Sequence, residues 1–190
     1  MRIIKIIIPC LLLGACFFGK SQNAKFYALT ATPAQEMAAA AYTAFIGVNR
    51  IQLPKYIERP QMVTQRKDSA QINISEYNRW VEYPSVLATR VLTEDLSRML
   101  PAARVKMHQS KGEGFDRTIS VEIVSMNAVL GEQAELVAWY TVKDREGKTL
   151  IHQKFTDIVL IGKTYDDFAQ GYSQLLAHLS RAIAENLIQP

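Results

Sequence analysis

The chain has 190 residues, 48% of them apolar, with 22 basic side chains against 18 acidic for a formal charge of +4. That length and composition suit one globular domain with a core of its own. Neither a basic run nor an interleaving of basic with aromatic residues is present, which excludes a nucleic-acid surface, and the two cysteines exclude a disulfide framework.

Arg2 and Lys5 open the chain, an apolar run from Ile6 to Leu13 follows with Pro9 inside it, and Leu13-Gly14-Ala15-Cys16 closes the segment. This is the layout of a bacterial lipoprotein signal: a basic start, a short apolar stretch, and small residues just before a cysteine. Small side chains at Gly14 and Ala15 let a peptidase approach the backbone. The Cys16 thiol then takes a diacylglycerol, and its freed amine takes a further acyl chain. A membrane-spanning helix needs about 20 apolar residues, and the run falls well short. An ordinary secretory signal gives no reason for a cysteine at position 16.

Cleavage after Ala15 removes Cys10 with Arg2 and Lys5, leaving 20 basic residues, a formal charge of +2 and one cysteine, which carries lipid. No disulfide, thiol metal site or thiol redox site is then available. No cofactor is expected beyond the covalent diacylglycerol and N-acyl lipid on Cys16. One acyl chain binds a bilayer marginally, at about 0.8 kcal/mol per buried methylene, whereas two or three hold it. Phe17 to Ala24 is a short spacer that spans at most about 28 Å. An Asp at position 17 would favour inner-membrane retention in enteric-type bacteria; Phe17 points to the outer membrane, with the domain facing the periplasm. The chain divides into residues 1–15 as signal, 16–25 as lipidated cysteine and tether, and 26–190 as a single domain.

Phe26 to Thr30 reads as a first strand. Thr32-Pro33-Ala34-Gln35 has a helix-start pattern, with a Thr cap and Pro in the first turn, and the Ala-rich stretch to Ala41 predicts a short helix. Tyr42 to Leu53 reads as one long strand whose apolar face switches, from Ile46 and Val48 to Ile51 and Leu53, at a bulge near Asn49. Pro54 and Pro60 bracket Lys55 to Arg59 and stop it from continuing a ladder. Met62 to Arg66 and Gln71 to Ile74 form a hairpin around Lys67-Asp68-Ser69.

Tyr83-Pro84 opens a helix that runs to Leu100 and stops at Pro101. Leu87, Val91, Leu92, Leu96, Met99 and Leu100 make its apolar stripe, with Glu94, Asp95 and Arg98 assigned to the solvated surface. A short strand, Arg104 to His108, precedes the Gly-containing loop Ser110 to Gly114. Three strands then alternate as an antiparallel meander: Arg117 to Met126, Gln133 to Lys143 and Lys148 to Ile161, with hairpin-turn chemistry at Asp144-Arg145-Glu146-Gly147. Thr164 to Asp167 matches a capping box. Phe168, Tyr172, Leu175, Leu176, Leu179, Ile183 and Leu187 follow as one stripe, predicting a long helix packed on the domain's own sheet.

Catalytic patterns are missing. His108, His152 and His178 fall on different elements without ligand spacing, and no set of residues is spaced for zinc. Neither a nucleophile elbow nor a phosphate loop occurs. Asp166 and Asp167 are helix-start residues. The chain is not expected to be an enzyme; a binding or assembly module is.

The segment Ile46-Gly47-Val48-Asn49-Arg50-Ile51-Gln52-Leu53-Pro54-Lys55-Tyr56-Ile57-Glu58-Arg59-Pro60-Gln61-Met62-Val63 resembles the signature of the PqiC/YmbA-type lipoproteins, the auxiliary lipoproteins of ABC-type transporters that carry MCE domains. Phe26-Tyr27-Ala28-Leu29, Asn78-Arg79-Trp80-Val81-Glu82, Arg90 to Leu96, Ala138 to Val142 and Leu179 to Ala184 agree in order. The Ala-rich stretch Ala31 to Ala41 departs from the family spacing in being longer. The resemblance implies a three-layer single α/β domain whose mixed, mostly antiparallel sheet is flanked by two long helices, similar in topology to anticodon-binding and TolB N-terminal domains. It also implies an outer-membrane-anchored periplasmic lipoprotein, auxiliary to an ABC/MCE-type intermembrane lipid transport system that supports envelope integrity. The partners implied are an MCE-domain protein, an inner-membrane transporter subunit and the membrane itself, with self-association where an MCE ring imposes its symmetry. The alternative function is a stand-alone lipid-binding periplasmic carrier or an envelope assembly lipoprotein. Besides Cys16, the positions carried over are Pro54, Tyr56, Arg59, Pro60 and Trp80. They are either contacts for the transporter or a structural corner, in which two prolines fix the bend, Arg59 satisfies carbonyls and Trp80 covers it.

Overall fold

The computed structural model describes residues 22–32, 42–109 and 114–189, so Cys16, the helix expected up to Ala41 and most of the Ser110–Gly114 loop lie outside the described residues. In chain order the elements are β1 (Lys25–Tyr27), β2 (Phe45–Val48), β3 (Gln61–Gln65), β4 (Ile72–Trp80), α1 (Pro84–Met99), β5 (Arg104–Met107), β6 (Arg117–Val129), β7 (Gln133–Asp144), β8 (Thr149–Leu160) and α2 (Tyr165–Ile188).

The meander follows from strict alternation. Ile119, Val121 and Ile123 on β6, and Leu136, Ala138, Tyr140 and Val142 on β7, point to one face and are no more than 2% exposed. A register shift between Ile123 and Ser125 keeps Met126 and Ala128 on that same face and leaves Val124 49% exposed. The β7–β8 turn uses its own side chain: Asp144 Oδ1 accepts from the Lys148 N–H at 2.8 Å, and Gly147 takes φ +85°, a conformation that costs glycine nothing.

β6, β7 and β8 are antiparallel, whereas β2 runs parallel to both β5 and β6, giving the order β5-β2-β6-β7-β8. The α/β class and the two long helices are as expected. The strands, expected in one mixed sheet, divide between two: β1, β4 and β3 form a second sheet, with β1 parallel and β3 antiparallel to β4. The cause lies between β2 and β3. The strand expected from Tyr42 to Leu53 ends at Val48, where the Asn49 N–H still donates to Ile119 C=O at 2.8 Å. The Ile51 N–H then turns to Thr89 Oγ1 of α1, 2.9 Å away. Pairing resumes only as a single parallel bridge, Gln52 to Glu122. Beyond it Pro54 and Pro60 carry the chain out of the larger sheet, and β3 starts the smaller one.

β4 is longer than the hairpin pattern suggests. It pairs Gln65, Thr64 and Val63 with Ile72, Asn73 and Ile74, bulges, and recovers pairing at Arg79 with Gln61. Ser75 holds the bulge by accepting from Asn78 through its N–H at 3.0 Å and its Nδ2 at 2.8 Å. β1 is shorter than expected, because beyond Tyr27 the chain leaves the sheet and the Thr30 N–H donates to Ser173 Oγ of α2 at 3.1 Å.

Both helices lie on the apolar face of the larger sheet, side by side, α1 over β2 and β5 and α2 over β7 and β8. The predicted α2 stripe is the centre of the core: Phe168, Tyr172, Leu175, Leu176, Leu179 and Ile183 are at most 2% exposed. Gly171 is what lets α2 approach the sheet, because a Cβ there would collide with the Ile161 side chain. A helical glycine costs about 1 kcal/mol relative to alanine, which this close packing offsets.

Candidate functional site

The segment from Pro54 to Pro60 is a tight corner built by its own amides. The Ile57 and Glu58 N–H groups both donate to Pro54 C=O, at 3.0 and 3.1 Å, and the Arg59 N–H donates to Ile57 C=O at 2.7 Å. The Trp80 N–H donates to Pro60 C=O at 2.7 Å, tying the corner to the end of β4. The carbonyls are therefore satisfied by backbone donors. Arg59, given that task in the corner reading, does not perform it: its Nε is buried with no partner among the described residues.

Trp80 does cover the corner from inside. It is 3% exposed and its ring centroid lies 5.8 Å from that of Phe168 on α2. Ile57 is buried in the same core. Of the five carried-over positions within the described residues, Pro54 and Arg59 are half-buried, Tyr56 and Pro60 are exposed, and Trp80 is core. Partial burial raises the Tyr56 phenol above its ordinary pKa, and at 38% exposure it is the large apolar surface the corner offers to solvent.

Glu58, which the sequence reading passed over, proves to be the connector. Its Oε2 accepts from the Ser85 N–H at 3.1 Å and its Oε1 from Ser85 Oγ at 2.6 Å. Arg50 Nη2 donates to the same carboxylate at 3.2 Å, and Arg50 Nε donates to Ser85 Oγ at 2.9 Å. The residue before α1, Tyr83, makes no side-chain cap. A carboxylate 27 residues earlier in the chain thus takes the N-cap role, and its negative charge sits at the positive end of the helix.

Asp95 is the second functional group missed, and here the expectation of a solvated surface position is corrected. Its relative exposure is 0%. It faces α2, with Ser180 Oγ donating weakly to Oδ2 at 3.4 Å, and its Oδ1 is without a partner among the described residues. Burial raises its pKa from 3.8 to about 6, partly offset by the Ser180 hydrogen bond and the charge of Arg98. The signal was present in the spacing: Asp95 is three residues after Leu92 and four before Met99, on the apolar stripe itself.

The histidines stay apart. His108 Nδ1 is 2.7 Å from Asn49 Oδ1, His152 stacks on Trp139 with centroids 4.9 Å apart, and His178 Nδ1 meets Asp157 Oδ2 at 2.5 Å. Among the described residues no group of three His, Cys, Asp or Glu is placed to hold a metal, and no helix is long and apolar enough to cross a membrane. An open groove of about 440 Å³, lined by both polar and apolar atoms, lies between Thr30, Thr32 and Met99 on one side and Ser173, His178 and Arg181 of α2 on the other.

A family model described as "ABC-type transport auxiliary lipoprotein component" matches residues 27–184. No curated protein is similar enough to match. Among solved structures, the chain is similar to an uncharacterized protein at TM-score 0.70 and 20% identity, over 86% of this chain and 98% of that one. It is similar to protein XCC0632 from Xanthomonas campestris, of family DUF330, at TM-score 0.69 and 10% identity, over 86% of this chain and 95% of that one. At these identities the likenesses establish the fold.

Proposed function

The chain belongs to the family of ABC-type transport auxiliary lipoprotein components, and from that premise we propose that it is an outer-membrane-anchored periplasmic subunit serving an ABC/MCE-type intermembrane lipid transport system. Cys16 carries the acyl chains that hold it. An MCE-domain protein and an inner-membrane transporter subunit are its partners, and the exposed side of the Pro54–Pro60 corner, with Tyr56 at its centre, is the contact. The observation that carries this reading is the meeting of two independent features in one chain: a lipidation signal ending at Cys16 and a domain matching transport auxiliary lipoproteins over residues 27–184. Phe17 in place of Asp supports the outer membrane over retention in the inner one.

The carrier alternative needs room for an acyl chain between α2 and the sheet. That space is filled by Phe168, Tyr172, Leu175 and Leu179, all at most 2% exposed, so the subunit reading is favoured.

Metabolic labelling with palmitate, followed by affinity capture of the tagged full chain from solubilised envelopes, tests it. Label on the wild type and none on Cys16→Ala is expected, together with co-capture of an MCE-domain protein that weakens for Tyr56→Ala. An unlabelled wild type overturns the anchor, and capture without any MCE protein overturns the transport partnership.

A further inference from the structure

The smaller sheet has two unlike faces. One, with Met62 and Trp80, belongs to the core. Register defines the other: Phe26 is paired with Arg79, Arg79 with Gln61, Val63 with Ile74 and Gln65 with Ile72. Because Gln61, Val63 and Gln65 alternate along β3, their partners share one face despite the bulge in β4. Val63 is already buried there, but Phe26 is 63% exposed, Ile72 39% and Ile74 43%, and Val81, two residues beyond Arg79, is 51% exposed. Outside the bulge, Arg79 is the one charged side chain among the described residues that the register places on this face. The solvent face of the larger sheet also exposes Val124, Trp139, Ile158 and Leu160, but it differs in carrying charges of both signs among them: Glu122 and Lys154 flank Trp139 from either side, and Glu135 pairs with Ile158. Clustered exposed apolar residues with so little charge mark an interaction surface rather than ordinary solvent-facing sheet.

We infer that this face lies on the lipid leaflet that holds Cys16, so that the domain is docked on the bilayer and not merely tethered to it. The inference rests on the lipid-anchored reading above. Its basis is the path of the chain: β1, the strand bearing Phe26, begins at Lys25, and the nine residue steps from Cys16 to Lys25 reach at most about 32 Å. The strand nearest the anchor in sequence is therefore the strand that bears the most exposed member of the patch. A lone positive group, Arg79, suits anionic headgroups, and Phe26 with the two isoleucines provides apolar area for the acyl boundary.

The mature lipidated chain has no free thiol once Cys16 is acylated and Cys10 removed, so a single introduced cysteine takes an environment-sensitive fluorophore specifically. Ile74→Cys places it on the patch, and Val81→Cys is a second site on the same face. Leu150→Cys, 45% exposed at the start of β8, is the matched control. In vesicles of phosphatidylethanolamine and phosphatidylglycerol, the labels at 74 and 81 are expected to shift to the blue and lose most of their emission to brominated acyl chains. The label at 150 is expected to do neither. Adding Phe26→Ser and Ile72→Ser is expected to abolish the shift while the protein still floats with the vesicles. Silent labels on a protein that floats overturn the docking and leave the anchor standing. A protein that does not float overturns the anchor and the docking with it. Labels that respond to protein concentration without vesicles assign the face to a second copy and overturn the lipid assignment.

Discussion

α1 and α2 lie side by side on one sheet face, yet their first turns are held by different means. α2 is capped from within: Thr164 Oγ1 accepts from the Asp167 N–H at 3.1 Å, and Asp167 Oδ2 accepts from the Thr164 N–H at 2.9 Å. Those bonds lower the Asp167 pKa below the ordinary carboxylate range. α1 has Tyr83 where a cap should be and borrows Glu58 from the corner. The first arrangement forms as soon as the local turn does. The second exists only when the corner has docked, so α1 and the Pro54–Pro60 segment stand or fall together. The part of the chain with the strongest family signature is thus structurally coupled to a helix, whatever it also contacts.

Trp80 joins the two helix starts, through Pro60 C=O on one side and the Phe168 ring in the first turns of α2 on the other. Trp80→Ala should give the largest loss, about 3–5 kcal/mol as for other buried aromatic truncations. Denaturant unfolding would measure it, and a loss under 1 kcal/mol would mean that the corner and α2 are not packed as one unit. The helices also differ in what they offer each other: α1 presents Asp95 and α2 presents Ser180. The folded-state pKa of about 6 lies above the ordinary 3.8, so the native chain holds that proton more tightly than the unfolded one. The stability due to the protonated form is full below about pH 4 and lost as pH rises through 6. Asp95→Asn should therefore be more stable than wild type at pH 7.5, on the order of 1–3 kcal/mol, with the gap closing as pH falls toward 4. A gap of constant size across that range would place Asp95 in water.

What could be read in advance follows the same division between local and distant. The capping box at Thr164, the α2 stripe and the β6–β8 alternation are patterns within a few residues of one another, and all appear where the spacing puts them. The division into two sheets was not legible. It depends on Ile51 giving its N–H to Thr89, a helix residue 38 positions later. Glu76 and Asn78 are poor strand formers, so the pattern predicts a shorter β4 than the structure has, where pairing of Asn78, Arg79 and Trp80 with β1 carries the strand past the bulge. At the corner the prolines announce a bend and Trp80 its cover, but no local pattern sets Glu58 apart from the residues around it. Nothing near it in sequence names Ser85 as its partner. Asp95 differs in kind: its charge predicts a solvated position, whereas its spacing from Leu92 and Met99 puts it on the buried stripe, and the spacing decides.

The sharpest test of the comparison sets the two caps against each other. Thr164→Ala removes one local acceptor and should cost about 1 kcal/mol, felt at α2 alone. Glu58→Ala removes the acceptor of the Ser85 N–H and leaves Arg50 without its carboxylate, and should cost about 1–2 kcal/mol. Its reach should also be wider. Amide hydrogen exchange is expected to quicken at Ile57, Glu58 and Arg59 as well as in the first turn of α1, because the donors to Pro54 C=O and to Ile57 C=O are held by the same docking. Glu58→Gln keeps a neutral oxygen for the Ser85 N–H while giving up the charge at the helix start, so it should recover most of the protection and less of the stability. If Glu58→Ala changed exchange only in α1, the corner would be holding itself, and the long-range cap would be a surface contact with no wider consequence.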